Sequence, residues 1–300
     1  MKYGKYLDRL PTLKGKIIIV TGANSGLGFQ TAAGILYKGA HLIMACRNPE
    51  KGETARKELL ARFPSSEIDL IEYDQSRLES IASFADAIEK NYDRIDGIVF
   101  NAGIYFPKNH SRTKDGFELT FGTNYLGVYR LWKKLNPMLE RCRAKVVVVS
   151  SLTAFLSRRN LKMEDVDTMR RNKLYGYSKR CLSRLCFEMM QNEGQTEVIV
   201  AHPGLCKTNI ISSDQTGFPR WFIRAGHAFL YLFTHSAEKA ALTNLLALTT
   251  EEKKKMIRPR GIFALSGYPQ IVPMPAYSKK AIVEETEAYL KRRENHAGNS

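Results

Sequence analysis

The chain is short of paired cysteine, of long apolar runs and of acid. Its five cysteines, Cys46, Cys142, Cys181, Cys186 and Cys206, are odd in number and lack C-x-x-C spacing. That excludes a disulfide framework or a cysteine zinc site and points to a reducing compartment. No stretch of about 18 consecutive apolar residues occurs, and the opening MKYGKYLDRLPTLKGK lacks the apolar core of a secretory signal, so a cytoplasmic location is expected. Asp and Glu number 30 against 46 Lys and Arg, a net charge of +16. The excess is dispersed, as Arg141, Arg143 and Lys145, then Arg158 and Arg159, then Lys253 to Lys255, with no zinc-finger, helix-turn-helix or RNP signature beside it. The charge therefore indicates a solvated basic surface suited to an anionic small ligand, and no nucleic-acid partner is expected. Repeats, low-complexity tracts and long linkers are missing too, which favours a single domain over residues 1–300, with an insertion at about 205–234 and a charged tail at 279–300.

What the chain does contain is a glycine loop and a regular alternation. Lys16 to Gly28, KIIIVTGANSGLG, is an apolar run that breaks into a loop carrying Gly22, Gly26 and Gly28, the pattern of a strand turning into a helix. Backbone N–H groups at such a helix N-terminus face an anion, and glycine lets a pyrophosphate approach closely. The spacing is G-x-x-x-G-x-G, which departs from the usual G-x-G-x-x-G dinucleotide fingerprint. Further strand-length runs follow at His41–Cys46, Glu67–Tyr73, Gly97–Asn101, Lys145–Val149, Glu197–Ala201 and Gly261–Leu265, separated by helical segments. One of these, about Phe117 to Arg141, carries the unusual interior Gly122-Thr-Asn-Tyr-Leu-Gly127. Ser76 is expected to cap the helix that ends near Asn91. Alternating strands and helices predict an α/β fold, doubly wound, with a seven-stranded parallel sheet and helices on both faces.

Tyr175 and Lys179 stand four residues apart, on one face of a helix. A neighbouring ammonium favours phenolate and lowers a phenol's pKa toward the working range, so such a pair can act in proton transfer, although it is equally a common packing pair. Tyr177 is not an equivalent phenol, because Cys181 occupies its fourth following position. Ser151 at the end of the fifth strand and Asn101 at the end of the fourth belong to the edge where a parallel α/β sheet opens its ligand crevice.

Taken together these segments resemble the short-chain dehydrogenase/reductases, over about residues 15–265 and in that family's order. Thr21-Gly-Ala-Asn-Ser-Gly-Leu-Gly28 resembles the family's T-G-x-x-x-G-x-G loop and Asn101-Ala102-Gly103 its N-A-G motif. Asn124, Ser151, Tyr175 and Lys179 resemble its catalytic tetrad, and Pro203-Gly204 with Thr208 its nicotinamide-holding segment. Ser151 is preferred to Ser150 because the family's serine is the second of such a pair. Ala45-Cys-Arg47-Asn-Pro-Glu-Lys-Gly52, Asp115-Gly-Phe-Glu118 and Thr123-Asn-Tyr-Leu-Gly127 look most like the retinol-dehydrogenase-like branch. The resemblance implies a Rossmann-type fold and an oxidoreductase in which Tyr175 exchanges a proton with a carbonyl or hydroxyl oxygen. Ser151 would hydrogen-bond that oxygen, Lys179 would lower the Tyr175 pKa and hold ribose hydroxyls, and Asn124 would support a water relay. That last role needs disturbed helical hydrogen bonding, which Gly122 and Gly127 make plausible. Cofactor contacts are expected from Gly22, Asn24, Ser25, Gly26, Leu27, Gly28, Asp74, Gln75, Asn101, Ala102, Gly103, Tyr175, Lys179, Pro203, Gly204 and Thr208.

The second strand ends in Arg47, with no Asp or Glu between Ala45 and Pro49. A carboxylate there would suit the ribose hydroxyls of NAD, whereas a cation suits the 2′-phosphate of NADP, so NADP(H) is the expected cofactor and Arg47 its phosphate contact. The aromatic-rich segment 205–234 is expected to cover an apolar or aromatic carbonyl or alcohol substrate; its mixture of basic and aromatic residues also suits a membrane surface. Two alternatives stay open: an NADP-binding regulator without turnover, and a membrane-peripheral enzyme acting on a lipid-like substrate. Family members are often dimers or tetramers, and a homo-oligomer is compatible with the chain.

Overall fold

Runs of four to six residues rich in Ile and Val are too short for helices and suit a pleated, buried surface. They pair into one eight-stranded sheet in a computed structural model that describes residues 2–105, 107, 111–157, 161–191, 194–205, 235–275, 277 and 281–297. The strands are β1 (Ile17–Thr21), β2 (His41–Cys46), β3 (Ile68–Glu72), β4 (Gly97–Phe100), β5 (Lys145–Val149), β6 (Glu197–Ala201), β7 (Lys255–Pro259) and β8 (Pro269–Pro273). The helices are α1 (Gly4–Leu7), α2 (Gly26–Tyr37), α3 (Pro49–Arg62), α4 (Leu78–Asn91), α5 (Leu119–Phe121), α6 (Gly127–Arg141), α7 (Thr153–Leu156), α8 (Arg171–Gln191), α9 (Ala237–Thr249) and α10 (Ile282–Ala297). Spatial order is β3-β2-β1-β4-β5-β6-β7-β8, with β1 to β7 parallel and β8 antiparallel to β7.

Successive residues of the inner strands feed two cores. Ile19, Ile98, Phe100, Val146, Val148 and Val200 pack with α4, α6 and α8, and Ile18, Val20, Val99, Val147, Val149 and Ile199 with α2 and α9. Burial on both faces is what makes these strands apolar throughout, where a half-exposed strand alternates. On the second face α9 lies tight against α2: a Cβ on Gly34 would stand 2.3 Å from Leu245 Cδ1, and Asn244 Nδ2 donates to Thr31 Oγ1 at 2.9 Å. On the first face α10 docks on α8 through a two-pronged Arg184–Glu285 pair at 2.9 and 2.8 Å, while Glu188 accepts from the Ile282 and Val283 N–H groups at the helix start. Tyr289 and Leu290 are buried and anchor it.

The doubly wound α/β architecture matches the sequence expectation, with corrections. Seven strands are parallel, but the seventh is Lys255–Pro259 and not 261–265, and an antiparallel eighth strand follows it. Ile262–Ala264 forms a 3-10 turn in which Phe263 and Ala264 have φ of 50° and 56°, and Arg260 N and Gly261 N close the return by donating to Tyr268 O and Ser266 O. Lys255, Arg258 and the prolines at 259, 269 and 273 disguise both strands as loop, which is tolerable because prolines fit at strand ends and sheet edges. Ser76 does not cap α4. Its hydroxyl donates to Asp74 Oδ1 at 2.6 Å, Arg77 holds the N-cap position, and the first free N–H, of Leu78, is taken by Asp115 Oδ2 at 3.0 Å. The segment expected as one helix from Phe117 is divided into α5, a π turn at Gly122–Leu126, and α6. The charged tail is helical through Ala297. Residues 298–300 lie outside the described residues, as do 206–234 of the expected insertion, with Thr208 and Cys206.

Candidate active site

β1 ends at Thr21, and the chain turns through Gly22 (φ 66°) and Gly26 (φ 54°) into α2. These two glycines supply the left-handed backbone that other residues rarely adopt. Gly28 serves contact instead: a Cβ there would stand 2.2 Å from Gly22 O and 2.5 Å from Asn101 Nδ2. Ser25, the exposed N-cap residue of α2, makes no side-chain capping bond, and the first turn of α2 holds no acid. The helix therefore presents its N-terminal N–H groups and dipole to an anion. Asn24 is half-buried beside it, while Leu27 is buried, which leaves its backbone as the part that faces the loop. Beneath the loop Cys46 is buried against the Ala23 and Asn24 backbone, and burial pushes its thiol up to about 11, so it acts here as a packing residue.

Strand order reverses between β1 and β4, and that seam is bolted. Thr21 Oγ1 accepts from Asn101 N at 3.0 Å and Ala102 N at 2.9 Å, and Asn101 Nδ2 donates to Thr21 O at 2.9 Å. The Gln75 side chain is buried, with Nε2 donating to Ala102 O at 3.0 Å and Thr123 O at 2.7 Å. It braces the N-A-G turn against the π turn, and only its backbone remains for a ligand. Gly127 admits that backbone, since a Cβ would stand 2.1 Å from Gln75 O. Asp74 is half-buried two residues past β3, with its carboxylate held by Ser76 N at 2.9 Å and the Ser76 hydroxyl.

Asn124 lies inside the π turn and is fully buried. Its Oδ1 accepts from Ile104 N at 2.8 Å, and its Nδ2 donates to Ile104 O at 2.9 Å and Ser178 Oγ at 3.3 Å. A Cβ on Gly103 would meet Asn124 Oδ1 at 3.0 Å and Lys179 Nζ at 3.6 Å, so this glycine marks the point where the two side chains converge. Lys179 Nζ donates to Val149 O at 2.9 Å, and burial lowers its pKa to about 8. The ammonium still predominates at pH 7. Tyr175, one turn earlier on α8 and half-buried, meets the ring of Tyr105 edge-on with centroids 4.7 Å apart. Tyr177 packs inward on Phe121 and is driven far above the ordinary phenol range by burial. The serine pair also divides: Ser150 is buried against Ser183 Oγ at 2.7 Å, while Ser151 is half-buried and accepts from Thr153 Oγ1 at 3.0 Å.

Past β6, Gly204 has φ 78°, and a Cβ there would stand 2.4 Å from Leu265 O. Pro203 O meets His235 Nε2 at 2.6 Å. Arg47, the first residue after β2, is exposed and makes no ion pair among the described residues.

A family model described as short chain dehydrogenase matches residues 16–217. The chain belongs to the short-chain dehydrogenase family. Human retinol dehydrogenase 13 is 32% identical over 208 residues, 66% of this chain and 61% of that protein. The WW domain-containing oxidoreductase of Drosophila melanogaster is 30% identical over 253 residues, 80% of this chain and 60% of that one. This chain thus spans about 60% of the length of these curated relatives. Among solved structures, an uncharacterised protein from Mycobacterium paratuberculosis superposes with a TM-score of 0.67 at 28% identity, covering 93% of this chain and 92% of its own. Levodione reductase shares the fold, with a TM-score of 0.66 at 21% identity, over 79% of this chain and 92% of that one.

A short-chain dehydrogenase of this kind needs a nicotinamide dinucleotide, and the loop fits one. The open α2 N-terminus, the uncapped Ser25 and the unpaired Arg47 lie at the ends of adjacent strands with no acid in the α2 first turn. Among the described residues no group of three or more His, Cys, Asp or Glu could hold a metal ion, and no helix is long and apolar enough to cross a membrane. Three contributors were missed from sequence. Thr21 opens the glycine-loop motif and Ser178 directly precedes Lys179, and their hydroxyls at a strand end and beside Lys179 are the available signal. Tyr105 had none, since its contact with Tyr175 spans 70 positions of chain, 105 to 175.

Proposed function

We propose that this short-chain dehydrogenase is an NADP(H)-dependent oxidoreductase that interconverts a carbonyl and a hydroxyl on an apolar or aromatic small molecule. This reading is supported by Asn124 and Lys179 meeting at Gly103, with Lys179 fixed on Val149 O two residues before Ser151 and Tyr175 one turn before Lys179 on α8. A bound nicotinamide supplies or accepts the hydride. Ser151 holds the substrate oxygen where negative charge develops, and the Tyr175 hydroxyl gives that oxygen its proton or takes it away. The Lys179 charge, desolvated and fixed on Val149 O, favours the phenolate that remains. Asn124 is locked to Ile104 on both sides of its amide, so it positions this cluster and the backbone of the N-A-G turn. Arg47 is the group proposed to choose NADP, because a free guanidinium beside the ribose suits a phosphate and nothing nearby on β2 suits its hydroxyls.

The test is oxidation of NADPH and of NADH against a panel of aldehydes and ketones that includes retinal and steroid ketones. Turnover with NADPH preferred over NADH is expected, and Arg47→Asp should shift that preference by about tenfold or more toward NADH, the worth of one to two charge-assisted hydrogen bonds. A preference unmoved by Arg47→Asp removes Arg47 from the phosphate site. Tight NADPH binding with no turnover in either direction across the panel would leave the non-catalytic regulator as the better reading.

A further inference from the structure

On the α8 face of the sheet, the edge formed by β6, β7 and β8 encloses a cavity of about 430 Å³ lined by Leu152, His202, Met256, Arg258, Val272 and Pro275, among others. Most of this wall is aliphatic. Two residues do not belong to an aliphatic wall. His202 is 4% exposed, its N–H donates to Ile257 O at 2.7 Å, and neither ring nitrogen has a hydrogen-bond partner. The Ala264 backbone approaches the ring without reaching hydrogen-bond geometry. Burial, then the Arg258 charge, lower the His202 pKa to about 4, so the ring is neutral at pH 7 with one donor and one acceptor to offer. Leaving such a group unmatched is unfavourable, a cost that a ligand can recover. Arg258 stands two residues from Met256 on the same face of β7, exposed and without an ion pair among the described residues. Leu152 directly follows Ser151, which places the cavity beside the polar cluster at the end of β5.

We propose that this cavity is the distal part of the substrate site and that Arg258 and His202 bind a carboxylate at the end of an apolar substrate opposite its reacting carbonyl. The aliphatic wall takes the body, the guanidinium takes the charge, and the imidazole N–H supplies a further bond to a carboxylate oxygen. The inference rests on the proposed reaction only for which end of the ligand reacts. The acid subsite itself can be measured without turnover.

Calorimetry on the full chain compares nonanoate with nonanamide, equal in length and different in charge. Nonanoate should bind about tenfold tighter or more. Arg258→Met, at an exposed position, should abolish the difference, and His202→Leu should weaken nonanoate severalfold. Val272→Trp, which fills the cavity, should weaken both ligands, as binding to the general basic surface would not. Equal binding of the two ligands, or a preference that survives Arg258→Met, overturns the proposal. In a second arm, NADPH oxidation with 9-oxononanoate and with nonanal gives a kcat/KM ratio expected to fall toward one in Arg258→Met. If both aldehydes are reduced with a ratio near one in the parent protein, the subsite falls and the reaction stands. If calorimetry finds the subsite and neither aldehyde is reduced, the carbonyl reading falls and the subsite stands.

Discussion

The β1–β4–β5 side of the crevice and the β6–β7–β8 side are held by different kinds of interaction. On the first, short motifs bond to one another across a single seam: Thr21 to Asn101 and Ala102, Gln75 to Ala102 and Thr123, Asn124 to Ile104. On the second, the Pro203-Gly204 turn depends on the return between β7 and β8, through Leu205 N to Leu265 O at 2.8 Å, and on His235, 32 positions further along the chain than Pro203. On the proposed reading, the difference teaches that the chemistry is placed by the side bonded across one seam and that selectivity is left to the side assembled from distant pieces. Tyr175→Phe tests the first half of that statement and has the largest expected effect. Turnover should fall about 10²–10⁴-fold, the usual worth of a positioned acid or base, with NADPH affinity within a few-fold of the parent by fluorescence titration. Full turnover in Tyr175→Phe would remove the β1–β4–β5 side from the chemistry.

The same division explains what could be read before the fold was seen. Gly22, Gly26 and Gly28 are legible because a turn that approaches both α2 and Asn101 admits little else, and the apolar runs at β1, β4 and β5 are legible because both faces are buried. The disturbed helix around Asn124 was legible from its flanking glycines, and the π turn lies where they indicated. Gln75 was not, since nothing local shows that its amide is consumed by two carbonyls, one of them 48 positions away. Nor were β7 and β8: their hydrogen bonding overrides a sequence of lysine, arginine and proline that resembles loop, and no short-range pattern reports the partner strand.

Lys179 sharpens the comparison through pH. Its pKa is about 8 in the fold and ordinarily about 10.5. Between those values the unfolded chain holds more protons than the folded one, so stability rises with pH across that window and the full cost of burying the ammonium is carried below it. Lys179→Met should therefore be more stable than the parent at pH 7, by on the order of 3 kcal/mol or less once the lost bond to Val149 O is set against it, with the gap closing as pH approaches about 10.5. Denaturant midpoints at several pH values measure it. A gap independent of pH would mean that the ammonium is not desolvated.

Gly204→Ala strikes the other side. A Cβ at φ 78° and 2.4 Å from Leu265 O strains the backbone and pushes on a carbonyl that cannot swing aside without losing Leu205 N. About 2 kcal/mol of lost stability is expected, with KM for the carbonyl substrate rising more than Kd for NADPH. Equal effects on both would show that the two sides are coupled more tightly than their separate hydrogen bonds imply.

Thr21→Val is the smallest change and the cleanest probe of the seam. Valine keeps the shape of threonine and removes the one oxygen that accepts from both Asn101 N and Ala102 N. Both donors belong to half-buried residues, so water can replace much of what is lost, and the expected cost is about 1 kcal/mol in chemical denaturation. The N-A-G turn also positions Gly103 against Asn124 and Lys179, which makes a second consequence measurable. NADPH affinity and turnover should weaken together, each by a few-fold, because the seam sets the ligand crevice and the polar cluster at once. Loss of affinity with turnover intact would place the polar cluster under the control of the Gln75 brace alone.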